Sequence, residues 1–380
     1  MSAPERPSTS PSVGLAVGSP EAPSAAFDVA LLDLDGVVYV GPDAVPGVPE
    51  ALDAARGAGM RLGFVTNNAA RTPEEVAAHL TELGVPARPG DIITSSQAAA
   101  TVVAALLGPG AAVLPVGGPG VAAALTAAGL RVVQRAEDSP AAVVQGYGRE
   151  VGWAQLAEAV VAVRNGARHV ATNTDATIPS PRGPLPGNGA MVDVVSSITG
   201  QAPLVTGKPD PAMHAECVRR TGARRPLVVG DRLDTDIEGA RRAGAASLLV
   251  LTGVTDPAGL LAAPPQHRPD LLSADAAGLL APHPPVRRAG GGWRCGTWTA
   301  RPAEGERTWI LAADSPAPHD GDGLDVRLDD GLDGLRALCV AHWGRNPDEG
   351  VPARIAAADP AASAVLAAWG LAAGATGSEQ

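Results

Sequence analysis

The sequence predicts an α/β protein built on a parallel sheet with helices on its faces. Three observations predict it. Val29–Leu32 is an uninterrupted apolar run, the pattern of a strand buried on both faces. From Arg61 to Leu251 short β-rich runs alternate with Ala-rich helical segments, and such alternation calls for parallel strands joined by helical crossovers. Polar and charged residues capable of chemistry recur where several of those runs end.

Taken in order, Met1–Ala26 is rich in Ser, Pro, Ala and Gly without periodicity and is expected to be disordered. The strand Val29–Leu32 follows. Pro49–Gly59 places Leu52 and Ala55 on one face, a short helix ended by glycine. Arg61–Val65 is a strand. Thr72-Pro73-Glu74-Glu75 has the order of a helix start: a capping hydroxyl, proline in the first turn, then acids. Helices are expected over Ser95–Leu107, Val121–Ala128, Trp153–Arg164, Pro211–Thr221 and Ile237–Ala243, and a Pro/Gly loop over Ile178–Gly189 leads into Met191–Thr199. Strands are expected over Ala112–Val116, Arg131–Val133, Ala142–Gln145, Arg168–Ala171, Leu204–Thr206, Pro226–Val229 and Ser247–Leu251. After Ala281 the composition shifts, and five of the six tryptophans lie between Trp293 and Trp369. Trp293–Ala300 and Thr308–Ala312 are expected as strands, Leu332–His342 and Ala361–Ala373 as helices, in a small α+β module able to fold alone.

Composition narrows the functional classes. The 380 residues carry a net charge of -11, which argues against a nucleic-acid surface. No apolar run is long enough to span a bilayer, and the N-terminus lacks a signal-peptide pattern. Cys217, Cys295 and Cys339 are few and widely spaced, and form neither a disulfide framework nor a zinc pattern. A soluble, cytoplasmic protein is expected.

The chemistry sits at strand ends. Asp33 and Asp35 follow the buried run, and carboxylates two apart in an extended chain point to one side. They are either solvated turn residues or ligands of a divalent cation, with Gly36 permitting a sharp turn. Thr66 and Asn67 end the next strand, Lys208 ends another, and Asp231, Asp234 and Asp236 follow a fourth. In an open α/β sheet such ends share one edge. This inventory suits phosphoryl transfer: carboxylates for Mg2+, a hydroxyl and backbone N–H groups for phosphate oxygens, a lysine to balance charge. Singly, each residue also has a plain reading as a cap, a surface charge or a solvated helix start. Jointly, in this order, they favour chemistry.

Asp33-Leu34-Asp35-Gly36-Val37-Val38-Tyr39, Thr66-Asn67-Asn68, Gly207-Lys208-Pro209 and Gly230-Asp231-Arg232-Leu233-Asp234-Thr235-Asp236 resemble the four motifs of the haloacid dehalogenase superfamily, most closely its subfamily IIA, the NagD and p-nitrophenylphosphatase-like phosphatases. The resemblance covers about 27–281. It implies a Rossmann-like core over residues 27–87 and 201–281, an inserted α/β cap of the C2 type over 88–200, and a C-terminal module over 282–380. It implies Asp33 as nucleophile and Asp35 as general acid and base. Thr66, Asn67 and Asn68 would hold the phosphate, and Lys208 would steady nucleophile and phosphate charge. Asp33, the Asp35 backbone carbonyl, Asp231 and Asp236 would serve Mg2+. Asn173 and Asp175 match a cap stretch that faces substrate in the family, although ordinary turn chemistry explains them equally well.

The resemblance implies a Mg-dependent phosphatase acting on a small phosphorylated metabolite, because a large cap excludes bulky esters. Glycerol 3-phosphate and phosphoglycolate are candidate substrates; nucleotide and sugar phosphates stay open, as does a catalytically silent phosphometabolite sensor. A homodimer through the cap is expected, with no nucleic-acid or membrane partner. The C-terminal module resembles an extension seen in some actinobacterial relatives, a remnant acetyltransferase fold. No acetyl-CoA signature is present in it, so no acyl transfer is expected. Because all four motifs precede Ala281, a chain ending there is expected to fold as a phosphatase.

Three other patterns compete. Gly118-Pro119-Gly120-Val121-Ala122-Ala123 resembles a dinucleotide fingerprint, but Pro119 lies inside its turn. Gly207-Lys208 lacks the first glycine of a P-loop. Asp320–Asp333 invites a calcium-loop reading that fails, since Asp325 and Leu324 occupy its glycine and third-ligand positions.

Overall fold

The computed structural model describes residues 13–178, 182–305, 307–313 and 328–371. The Asp-rich stretch lies outside these residues up to position 327, as do residues 1–12 of the N-terminal segment. The chain divides into two compact units. One holds Met1–Leu62 and Arg224–Gln380, the other Gly63–Ala223.

In the first unit, four parallel strands lie in the order Leu271–Ser273, Ala246–Val250, Pro226–Gly230, Val29–Leu32. Every residue of Val29–Leu32 is buried, as expected of a strand covered on both faces. Leu32 pairs with Val229, and the ladder continues where the Asp33 N–H donates to the Val229 carbonyl at 2.8 Å. That register sets the ends of the two strands side by side.

The C-terminal part of this unit is a five-stranded mixed sheet, Arg287–Ala289, Gly292–Cys295, Trp298–Pro302, Thr308–Ala313 and Arg354–Ala357, with helices Asp333–Arg345 and Pro360–Ala368. The single strand expected over Trp293–Ala300 is a hairpin. Cys295 pairs with Trp298 across the two-residue turn Gly296-Thr297, and Gly296 has φ 54°. Left-handed backbone is what a tight hairpin turn requires and what glycine adopts most readily.

This module has no closed core of its own. Trp309, Leu311, Leu335 and Leu338 share one buried cluster with Ile237, Leu249, Leu260 and Leu272. Arg336, 1% exposed, binds Asp330 through both terminal nitrogens at 2.8 and 2.7 Å and donates to the Leu272 carbonyl at 2.6 Å. The Trp343 indole donates to the Leu261 carbonyl at 3.1 Å. Independent folding of residues up to Ala281 is therefore not what this packing supports: the same apolar face would meet water.

Residues 13–26 also depart from the expected disorder. Leu15 belongs to the shared cluster, Ser19 and His283 exchange backbone hydrogen bonds at 3.0 Å, and Pro23–Ala26 is a short helix. Low-complexity composition concealed an apolar anchor whose partners lie far along the chain.

The second unit begins within the strand Arg61–Thr66, whose residues Phe64–Thr66 pair in parallel with Ile92–Thr94. The helix Pro73–Glu82 starts at a capping box: the Thr72 N–H donates to the Glu75 carboxylate at 2.8 Å and the Glu75 N–H to the Thr72 hydroxyl at 3.3 Å. A five-stranded parallel sheet follows, ordered Leu204–Val205, Arg168–Ala171, Ala142–Gln145, Ala112–Val116, Arg131–Val132. Its faces carry separate cores. Val113, Val144 and Leu125 pack on one, Leu114, Val143 and Val163 on the other, which is the two-residue alternation of a sheet sandwiched by helices.

The glycines of the dinucleotide-like stretch have a packing explanation. The Gly120 N–H donates to the Ala70 carbonyl at 2.9 Å, and a Cβ on Gly118 would sit 2.7 Å from the Ala70 Cα. They admit a neighbouring backbone.

Candidate active site

Strand register brings two sequence-distant carboxylates together. Asp33 leaves the strand Val29–Leu32, and Asp231 leaves its neighbour Pro226–Gly230. Asp236 joins them from Leu233–Ile237, a π-helical turn whose wide coil returns the side chain towards the strand end. Ligand oxygens of Asp33, Asp231 and Asp236 lie within 4.8 Å of one another, with Asp231 and Asp236 buried.

Backbone N–H groups hold these carboxylates in place. The Val254 N–H donates to Asp231 Oδ2 at 2.7 Å, and the Arg232 N–H to Asp236 Oδ2 at 3.2 Å. Glycines press in from several sides. A Cβ on Gly36, which has φ +83°, would lie 2.5 Å from Asp231 Oδ2. One on Gly253 would overlap the same carboxylate, and one on Gly230 would overlap Asp236. The Thr252 hydroxyl donates to the Gly36 carbonyl. Sequence reasoning missed Thr252, Gly253 and Val254; the available signal was a Thr-Gly pair just beyond the strand Ala246–Val250.

Like charges packed this closely repel unless a cation lies among them. All three are hard oxygen donors with no sulfur or imidazole in the set, the donor type that Mg2+ and Ca2+ take. The residues therefore fit a hard divalent cation. Asp234 points elsewhere, paired with the Arg232 guanidinium at 2.9 Å.

Asp35 contributes no side-chain ligand to this group. It is exposed, in a turn where the Gly36 N–H donates to the Tyr39 carbonyl at 2.8 Å. Asp35 is thus an exposed carboxyl two residues beyond the half-buried Asp33. That division suits an acid/base next to a nucleophile.

The second unit holds the remaining sequence-predicted residues. Thr66 is buried, its hydroxyl accepting the Asn68 N–H at 3.0 Å. The Asn67 side chain grips the Lys208 backbone, accepting from its N–H at 2.9 Å and donating to its carbonyl at 3.2 Å. Gly207 allows this approach, since a Cβ there would sit 2.8 Å from Asn67 Oδ1. The Asn68 side chain accepts from the Ala70 N–H at 2.9 Å and shapes the turn. Motifs 141 residues apart are thus joined through one amide side chain.

Asn173 and Asp175 enter the same network. The Asn173 amide donates to the Asn67 carbonyl at 2.7 Å, while its own carbonyl takes the Asn188 amide at 2.7 Å. Asn173 is 3% exposed. It holds the loop after Thr66. Asp175 accepts from the Asn67 amide at 3.4 Å. Gln145 was also missed, because nothing local marks a glutamine whose partner lies on another strand. Gln145 Oε1 lies 2.9 Å from His169 Nε2, and burial holds His169 below the usual imidazole range.

Beneath Lys208, helix Pro211–Thr221 carries two buried groups. Burial pushes the Cys217 thiol up to about 12, so it is an inert core residue. Glu216 is also buried, but Arg219 and Arg220 outweigh that cost and hold its carboxyl below the ordinary range.

A fold of this kind, with carboxylates converging at the carboxyl ends of parallel strands, is a metal-assisted hydrolase scaffold. Comparison with known proteins gives the family. A haloacid dehalogenase-like hydrolase model matches residues 30–131, and a second HAD-hydrolase-like model matches 205–279. A D-glycerol 3-phosphate phosphatase from Mycobacterium tuberculosis is 44% identical over 354 residues, 90% of this chain and 94% of that protein. An acid sugar phosphatase from Staphylococcus aureus is 40% identical over 227 residues, 59% of this chain and 86% of that protein. A crystal structure of a glycerol phosphate phosphatase from M. tuberculosis in complex with magnesium superposes with a TM-score of 0.79 at 42% identity, covering 93% of this chain and 99% of that one. The chain belongs to the haloacid dehalogenase-like hydrolases. Residues 295–371 match a GCN5-related N-acetyltransferase-like domain model.

Proposed function

We propose that this protein is a Mg2+-dependent phosphatase that hydrolyses a small phosphate monoester, with glycerol 3-phosphate as substrate. The observation that carries the reading is the Asp33, Asp231 and Asp236 group, its ligand oxygens within 4.8 Å, with Asp35 two residues beyond the first carboxylate. The substrate assignment rests on the M. tuberculosis relative, whose similarity spans 90% of this chain. The relative solved with magnesium supports the cation.

In this reading the Asp33 carboxylate attacks phosphorus, and the bond to the alkyl oxygen breaks as the Asp35 carboxyl donates its proton to the leaving alkoxide. The product is glycerol and an aspartyl-phosphate on Asp33. The Asp35 carboxylate then takes a proton from water, whose oxygen attacks the same phosphorus. The bond to Asp33 breaks, phosphate leaves, and both carboxyl groups are restored. Thr66, the backbone N–H of Asn67 and the Lys208 ammonium bind the phosphoryl oxygens. Bound Mg2+ supplies electrostatic stabilisation of the phosphoryl charge. Asp33, the Asp35 carbonyl, Asp231 and Asp236 would hold it.

Phosphate release from a panel of phosphometabolites, with and without Mg2+, tests this. Glycerol 3-phosphate should lead the panel, and activity should vanish in EDTA. Metal-dependent turnover of sugar phosphates with none of glycerol 3-phosphate would move the substrate. Tight phosphometabolite binding without turnover would favour a sensor.

Among the described residues, no helix is long and apolar enough to cross a membrane. The three cysteines are free and buried, which suits a reducing cytoplasm. A homodimer through the inserted domain accords with Trp153 and Ile198, 84% and 58% exposed on two helices in contact; light scattering of the full chain would test it.

A further inference from the structure

The three converging carboxylates, Asp33, Asp231 and Asp236, all lie outside the acetyltransferase-like module at residues 295–371. The module nevertheless meets the segment that holds one of them. Residues 252–255 wrap Asp231. The Val254 N–H donates to Asp231 Oδ2 at 2.7 Å, and the Thr255 N–H to the Asp231 backbone carbonyl at 3.2 Å. One loop therefore aims both the carboxylate and the backbone behind it.

That loop runs directly into the helix Pro257–Leu261. Asp256 caps it, its carboxylate accepting the Gly259 N–H at 2.7 Å. Five residues make little more than one turn, too few to be stable without packing. Leu260 and Leu261, 0% and 2% exposed, supply that packing in the cluster that also holds Leu335, Leu338 and Trp343. The short helix lies in contact with helix Asp333–Arg345 of the module.

Three contacts fix its far end. The last carbonyls of a helix have no partner within it, and the Trp343 indole donates to the carbonyl of Leu261 at 3.1 Å. A Cβ on Gly350 would lie 2.7 Å from both the Ala262 carbonyl oxygen and the Pro264 nitrogen, so the chain beyond Arg345 presses on the chain beyond Leu261. Arg268 ties these two segments together. Its Nε donates to the Ala263 carbonyl at 3.1 Å, and its terminal nitrogens donate to the carbonyls of Asn346, Pro347 and Glu349 at 2.7, 2.9 and 2.8 Å. The same guanidinium lies 5.4 Å from the centre of the Trp343 ring. The helix is thus held by the Asp231 loop at one end and by the module at the other.

We propose that Trp343 is a positioning residue for Asp231, acting through the strut Pro257–Leu261, so that the module sets the affinity of the carboxylate group for Mg2+. The proposal rests on the reading of Asp33, Asp231 and Asp236 as a cation site. Groups that hydrogen-bond a ligating carboxylate fix its aim, and losing one costs about ten- to a hundredfold in metal affinity. Trp343 acts one helix further out. Its hydrogen bond should therefore be worth less, about two- to tenfold, the scale of one net hydrogen bond.

Calorimetric Mg2+ titration of the full chain tests this. Trp343→Phe keeps an aromatic ring and removes the donor, and its Mg2+ dissociation constant should rise by about two- to tenfold. Trp309→Phe is the matched control. That indole is also buried and donates within the module, to His342 Nδ1 at 3.1 Å, away from the strut. Both variants should lower the urea midpoint, but Trp309→Phe should leave Mg2+ affinity unchanged, whereas a merely structural module would make the two alike. Wild-type affinity in folded Trp343→Phe, or equal losses in both variants, would overturn the proposal. Hydrogen exchange of the wild-type chain carries the test if Trp343→Phe does not fold. Coupling is reciprocal, so Mg2+ should slow amide exchange across 257–263 and 339–346. Protection confined to 231–237 and 252–255 would overturn the proposal. A wild-type chain that binds no Mg2+ would overturn the cation reading and the proposal with it, an outcome distinct from the failure of Trp343 alone.

Discussion

The side-chain amide of Asn173 donates to the backbone carbonyl of Asn67 at 2.7 Å, across 106 residues of sequence. That bond anchors the loop carrying Thr66 and Asn67. Its loss should act through loop position. Asn173→Ala should lower kcat/KM for an alkyl phosphate by about two- to tenfold, the scale of one net hydrogen bond. Asn173→Asp should cost more, because a carboxylate there faces a carbonyl oxygen. Steady-state kinetics on folded variants check this, and an Asn173→Asp enzyme with unchanged kcat and KM would leave the bond without a role in function.

Gly253 lies against Asp231 so closely that a Cβ would overlap its carboxylate. The obstructing atoms belong to a short, buried side chain with no room to swing away. Gly253→Ala should therefore weaken Mg2+ binding although Gly253 offers no ligand side chain, and Asp231→Asn should weaken it further by removing a charged donor. Calorimetric Mg2+ titration separates these effects from turnover. Wild-type affinity in Asp231→Asn would remove Asp231 from the ligand set.

Asp33 and Asp35 should fail in different ways. Asp33→Asn lacks the attacking oxygen and should abolish turnover of every ester. Asp35→Asn keeps the nucleophile and should lose roughly a hundred- to ten-thousand-fold on an alkyl phosphate, less on p-nitrophenyl phosphate, whose leaving group needs little protonation. Phospho-enzyme should accumulate in rapid-quench labelling of Asp35→Asn with the aryl ester. Equal losses on both esters, with no trapped phosphate, would take Asp35 out of the acid/base role.

The C-terminal module should be inseparable from the sheet it packs on. A chain ending at Ala281 exposes the faces of Leu249, Leu260 and Leu272 that now meet Trp309, Leu335 and Leu338, and it should aggregate or unfold at a lower urea concentration. Arg336→Ala strands Asp330 and Asp333 in a buried setting, a change that costs roughly 3–5 kcal/mol when a buried pair is broken. A truncated chain with the full-length urea midpoint would show that the shared core contributes little.

Acid should weaken the same region. Burial, with Arg336 nearby, holds the His283 imidazole down to about 4, while Gly278 and Asp330 act in the opposite direction. The unfolded chain takes up a proton below its ordinary value of 6.5, and the folded chain only below about 4. Between those values the unfolded state binds more protons, so stability falls as pH drops. Thermal midpoints should decline from pH 6.5 towards 4, and the slope in that window should flatten in His283→Leu. An unchanged slope would assign the decline to other groups.

Much of the chemistry was legible along the chain, because haloacid dehalogenase-like motifs are local. Asp33 and Asp35 are two residues apart, Asp231 and Asp236 five, and each follows a strand that its apolar run announces. The alternation of strands and helices likewise foretold the parallel sheets, since periodicity records which faces are buried. What needed the tertiary structure were relationships set by register and packing. Leu32 opposite Val229 brings Asp33 to Asp231. The amide of Asn173 is spent on a carbonyl, and Gly253 is small because a carboxylate fills its space. Arg287 confronts Arg294 only because Gly290 and Gly291, both with positive φ, turn one strand back on the other. Leu15 and the C-terminal tryptophans were the hardest to place. Their burial depends on surfaces distant in sequence, and a hydrophobic side chain records that it must be covered without recording by what.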